Sequence, residues 1–70
     1  MKARELQRLL ERELGYRVHD QTGSHKKLRA PGRPQLIFAF HDRQTLPPGL
    51  VRHILVQQVG LSKEDAEALL

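Results

Sequence analysis

The stretch YRVHDQTGSHKKLRAPGRPQLIFAF, residues 16–40, decides the fold. Three segments within it read as strands. In 16–20, Tyr16 and Val18 alternate with Arg17 and His19, the period of a half-buried strand. Residues 24–29 contain one apolar side chain, Leu28, and read as a strand with one wet face. Residues 35–40 (Gln35-Leu36-Ile37-Phe38-Ala39-Phe40) form an apolar run, which predicts burial on both faces or a central place in the sheet. Gln21-Thr22-Gly23 is turn material. Ala30-Pro31-Gly32-Arg33-Pro34 is a loop, because Pro presets φ and Gly supplies φ > 0. Such short links exclude parallel crossovers, which need about a dozen residues or more, so the strands pair as an antiparallel meander.

Both flanks are helical. In residues 3–14, Leu6, Leu9, Leu10 and Leu14 fall on one stripe, with Arg4, Glu5, Arg8, Glu11 and Arg12 outside it. Gly15 stands where a left-handed C-terminal residue belongs. After the connection from His41 to Pro48, Pro47 and Pro48 suit a helix start. Residues 49–59 then carry an apolar face of Leu50, Val51, Ile54, Leu55 and Val59, and Gly60 stops the helix. Ser62-Lys63-Glu64-Asp65 reads as an N-cap with acids in the first turn, opening a short helix over 63–69 that docks Ala66, Leu69 and Leu70. The expected fold class is α+β. It is an α-β-β-β-α two-layer sandwich: a three-stranded antiparallel sheet, both helices on one face, the other face wet, plus a short C-terminal helix.

Seventy residues support one domain, 1–70, and exclude Rossmann domains, barrels and multi-domain enzymes. Hydrophobic residues make up 39% of the chain, too many for a disordered one. The absence of cysteine excludes a disulfide scaffold, a thiolate metal site and a Cys nucleophile. His19, His25, His41 and His53 are scattered, so no metal or other cofactor is expected. No apolar run reaches the roughly 20 residues of a membrane span, and the N-terminus lacks signal-peptide character; the expectation is a soluble cytoplasmic protein. The formal charge is +4, and it is concentrated: residues 17–53 carry seven basic side chains against two acids. A basic centre points to a polyanion such as nucleic acid, or simply to a solvated basic surface.

Gly23-Ser24-His25-Lys26-Lys27 carries the chemistry. Histidine can take and give a proton near neutrality, and lysines can neutralise phosphate. Strand alternation puts Lys26 and Lys27 on opposite faces and His25 on the face of Lys27. An imidazole beside an ammonium suits a phosphodiester, in which charge builds on phosphorus. Without reference to any family, the pentapeptide reads first as an ordinary hairpin with polar residues on its wet side. His41 reads first as a strand end and second as another acid/base. Arg33 reads first as a solvated loop arginine and second as a phosphate contact. His19 and His53 read as surface or boundary residues.

The whole order of motifs resembles the HicA family of toxins from bacterial toxin–antitoxin pairs. The resemblance runs from Met1-Lys2 and the Leu6/Leu9/Leu10 helix through Gly15-Tyr16, Gly23-Ser24-His25 and the third strand ending in His41. It closes with Gly49-Leu50-Val51-Arg52-His53-Ile54-Leu55 and Gly60-Leu61-Ser62. It implies a fold like a double-stranded-RNA-binding domain and an endoribonuclease that cleaves mRNA without a metal, silenced by a HicB-type antitoxin. It places the catalytic histidine at His25, after Gly-Ser; Ser24, Lys26, Lys27, Arg33 and His41 are the RNA contacts expected from their own chemistry and placement. The chain departs from the family pattern at Lys26, where many members have a second histidine, and at Asp42, where proline is common. The competing readings are a non-catalytic RNA-binding module and an interaction domain whose basic face meets an acidic protein. A helix-turn-helix DNA reader fits poorly, since the last helix is acidic and repels phosphate.

Overall fold

Three antiparallel strands in the order β1-β2-β3 form the sheet: β1 is Arg17–Thr22, β2 His25–Arg29 and β3 Leu36–Phe38. This computed structural model describes residues 1–70. Helix α1, Ala3–Leu14, precedes the sheet; α2, Pro48–His53, and α3, Lys63–Leu69, follow it. The expected order and the two-layer α+β arrangement hold. Leu28, Leu36 and Phe38 of the sheet join Leu6, Leu9 and Leu10 of α1 and Val51, Ile54 and Leu55 of the helical segment after the sheet in one apolar core.

Helix α1 keeps the predicted ends. The backbone N–H of Lys2 donates to the Glu5 carboxylate at 3.1 Å, satisfying an otherwise orphaned terminal donor. Gly15 takes φ 77°, a left-handed value that costs a Cβ-bearing residue roughly 1–2 kcal/mol. The turn at Gly15 sends Tyr16 into the core, where its hydroxyl donates to the Pro34 carbonyl at 2.8 Å. Strand β1 therefore starts at Arg17, one residue later than predicted. It also runs two residues further, because the turn is only Gly23-Ser24. Gly23 has φ 60° and no non-glycine residue has positive φ, the signature of a tight type II′ turn with glycine first.

Two expectations for the sheet fail. Strand alternation in β1 is broken at His19, where the register shifts between Val18 and Asp20. The apolar third strand is not central and not buried on both faces: it is an edge strand, and Ile37 is 55% exposed. It also ends at Phe38, because the backbone beyond turns away; Phe40 packs edge-on against Phe38 at 5.0 Å and only half-buries. His41 therefore does not close the strand.

The second helix starts at Pro48, after an extended Pro47, as proline's fixed φ and missing donor favour. It ends in a widened turn, Ile54–Gln58, in which the Val59 N–H reaches the Ile54 carbonyl five residues back at 2.9 Å. An unbroken α-helix would bring both Gln58 and Val59 onto the stripe of Val51; here Val59 is buried and Gln58 exposed. Helix α3 has the predicted cap, with Ser62 Oγ accepting from the Asp65 N–H at 3.0 Å. Ala66 is buried and Leu69 half-buried, but Leu70 is 49% exposed and does not dock. Across the molecule, the first residues are tied to the segment after β3. Ala3 N–H donates to Gln44, Arg4 N–H to Asp42, and Leu46 N–H to the Met1 carbonyl.

Candidate nucleic-acid interface

Register decides which side chains share the wet face. Leu28 is fully buried on the helix side, so alternation places His25, Lys27 and Arg29 on the open side. Directly across in β1 stand Thr22 opposite His25, Asp20 opposite Lys27 and Arg17 opposite Arg29. Ile37 of β3 pairs with Lys27 on the other flank. The face thus holds three fixed cations, one carboxylate, one imidazole and one exposed isoleucine. A depression of about 180 Å³ is lined by Asp20, Gln21, Thr22, His25, Lys26, Lys27 and Ile37. His25 and Lys27 make no side-chain hydrogen bond or ion pair within the protein, which leaves both free for a ligand.

Lys26 is different. It points to the helix side, its side chain only 11% exposed. Its ammonium donates to Gln7 Oε1 of α1 at 2.8 Å and to Asp42 Oδ1 at 3.3 Å. It is a tether between β2, α1 and the segment after β3. Ser24, Lys26 and His41 gather with Gln21, Phe40 and Asp42 around a second depression of about 270 Å³ on that side. His41 therefore shares a pocket with Lys26, not with His25. Arg33 lies in the loop at the far end of β2, roughly 13 Å or more from His25 at about 3.3 Å per strand residue. There it sits near Tyr16: burial pushes the Tyr16 phenol above its ordinary value, and the Arg33 guanidinium partly offsets that. His19 is exposed at the bulge. His53 lines a cleft between α2 and α3 in the helical layer, beside Arg52, which pairs with Glu67.

The sequence reading passed over Asp20 and Thr22. A usable signal was present: a two-residue Gly-Ser turn fixes Thr22 opposite His25. Counting back from there puts Asp20 on the His25 face. No three His, Asp or Glu side chains come together closely enough to hold a metal ion. No helix is long and apolar enough to cross a membrane.

Fold and face together define a small two-layer α+β domain that presents a basic, histidine-bearing sheet surface to solvent. The chain belongs to the HicA toxin family: the family described as HicA toxin of bacterial toxin–antitoxin matches residues 3–61, from the start of α1 to just past the end of the second helix. Membership makes it the toxin of such a pair and implies an antitoxin partner. No curated protein and no solved structure gives a match.

Proposed function

We propose that this toxin is an endoribonuclease that cleaves mRNA in the cytoplasm, with residues 1–70 acting as one domain and a HicB-type antitoxin keeping it silent. The observation that carries the reading is the position of His25. It stands exposed at the head of β2, beside Lys27 and free of protein partners. An imidazole so placed can exchange a proton with a ribose hydroxyl or a leaving oxygen, a contribution of roughly 10²–10⁴-fold. Lys27 supplies positive charge where it builds on the phosphate. Arg17, Arg29 and Arg33 extend the cationic track along the sheet and bind the RNA backbone without regard to sequence. Ser24 and His41 border the track from the turn and the adjoining pocket; Lys26 supports the site from beneath.

The test is cleavage of labelled RNA in excess EDTA by the parent and by His25→Ala, with thermal melts alongside. The parent cleaves; His25→Ala does not, and melts at the same temperature because the side chain is exposed. Binding without cleavage by the parent would instead favour a non-catalytic RNA-binding module.

A further inference from the structure

One histidine cannot take a proton from the attacking hydroxyl and give one to the leaving oxygen in the same step. Resting on the ribonuclease reading above, we infer that Asp20 is the general base of this site and His25 its general acid. The observation is the register shift in β1. Arg17 opposes Arg29 and Val18 opposes Leu28, but after His19 the pairing moves by one, so that Asp20 opposes Lys27 and Thr22 opposes His25. Continued without the shift, the register would set Asp20 against Lys26, on the helix side. The bulge turns the carboxylate onto the open face, the kind of re-aiming that bulges perform beside active sites.

The neighbours leave no other group for the role. Of the residues around the His25 depression, Gln21, Thr22 and Ile37 do not accept a proton in this range, and Lys26 and Lys27 are ordinarily cationic. Asp20 has no cation within ion-pairing distance, although Lys27 stands opposite. Its Oδ1 accepts from the Gln21 N–H at 2.9 Å, which steadies the carboxylate and leaves Oδ2 uncommitted. Asp20 and His25 are diagonal neighbours across the strand pair, residues about 7–8 Å apart with their Cβ atoms somewhat closer. A phosphodiester fits between two such groups, with its attacking oxygen hydrogen-bonded to one and its leaving oxygen to the other.

The step balances. Asp20 takes the proton of the ribose 2′-hydroxyl as O2′ bonds to phosphorus. The P–O5′ bond breaks, and the cationic imidazole of His25 passes its proton to O5′. The products are a 2′,3′-cyclic phosphate and a 5′-hydroxyl. Asp20 then loses its proton to water and His25 regains one. Lys27, opposite Asp20, faces the non-bridging oxygens.

The experiment first maps a cleavage position on an RNA oligonucleotide with the parent protein. It then compares parent, Asp20→Asn, Asp20→Glu and His25→Ala on that RNA and on the same RNA with sulfur replacing the 5′-bridging oxygen at that position. A thiolate leaves without an acid. On ordinary RNA, Asp20→Asn and His25→Ala both lose roughly 10²–10⁴-fold, and Asp20→Glu keeps more activity than Asp20→Asn. On the sulfur-substituted RNA, His25→Ala recovers to near the parent rate and Asp20→Asn stays slow. Asp20→Asn cleaving ordinary RNA at the parent rate overturns the inference. So does recovery of Asp20→Asn, rather than His25→Ala, on the sulfur substrate. If the parent cleaves neither RNA, the ribonuclease reading itself falls, and the inference with it. Melting curves of all three variants match the parent, since both side chains are exposed.

Discussion

Replacing Lys26 with Met should destabilise the protein far more than its place on a basic surface hairpin suggests. The methionine keeps most of the buried stem and removes only the ammonium. Two contacts go with it. The bond to Gln7 Oε1, 2.8 Å and half-buried, is a charged-donor hydrogen bond, a type that contributes about 1.5–3 kcal/mol. The contact to Asp42 at 3.3 Å involves a carboxylate whose side chain is 62% exposed, so it contributes about 0–1 kcal/mol. The total is near 2 kcal/mol, most of it from Gln7. For a domain of this size each kcal/mol moves the melting temperature by about 4–8 °C, so a fall of about 8–16 °C follows. Urea and thermal melts of Lys26→Met, Gln7→Met, Asp42→Asn and the doubles measure it. Lys26→Met and Gln7→Met should be strongly non-additive, since they remove the same bond. Asp42→Asn should cost less than about 1 kcal/mol. A Lys26→Met protein that melts with the parent would show that the ammonium is free in solution, and the tether would be refuted.

Two further outcomes follow from burial. Tyr16→Phe should lose about 0.5–1.5 kcal/mol at neutral pH through the missing bond to Pro34. The folded state holds the Tyr16 phenol above its ordinary 10.0, so it favours the protonated form. That stability is fully present below about pH 10 and is lost as the pH rises through the folded value. The gap between parent and Tyr16→Phe should narrow above pH 10 in denaturant titrations; a constant gap would contradict the burial argument. In β3, Phe38→Ala should cost about 3–5 kcal/mol, while Ile37→Thr next to it should stay within about 0.5 kcal/mol. Equal urea midpoints for the two variants would refute the assignment of a buried and an exposed face to the strand, and a lower midpoint for Ile37→Thr would mean that the faces are reversed.

The helices were legible because their signals are local. The stripe of Leu6, Leu9 and Leu10 with Gly15 after it bounds α1, and Ser62 with its following acids bounds α3. The antiparallel meander was legible from link lengths, and the shared face of His25 and Lys27 from simple alternation. What failed depends on neighbours the chain does not announce. The run from Leu36 to Phe40 looks fit for a sheet centre, yet the short links leave β2 in the middle and β3 at the edge. Where β3 lets go of β2 is a tertiary matter, and it moves His41 to the pocket of Lys26. Lys26 read as a phosphate contact because nothing in its sequence context reveals Gln7 and Asp42. Asp20 escapes notice because its place beside His25 comes from pairing across the two-residue turn, which sets Thr22 opposite His25 and Asp20 opposite Lys27, and not from any motif of its own.

The hairpin and the N-terminal clasp differ in how far the chain must travel to make them. Thr22 meets His25 across a two-residue turn, an event on the microsecond scale for hairpins. Lys2 meets Thr45 only after about forty intervening residues have been gathered in, at a greater loop-closure entropy. The ribbon that carries Asp20, His25 and Lys27 is thus among the most local pieces of the molecule, and the clasp is a distant one. A refolding chain can pair its basic, histidine-bearing ribbon while the ends are still apart, because that pairing closes only a two-residue loop.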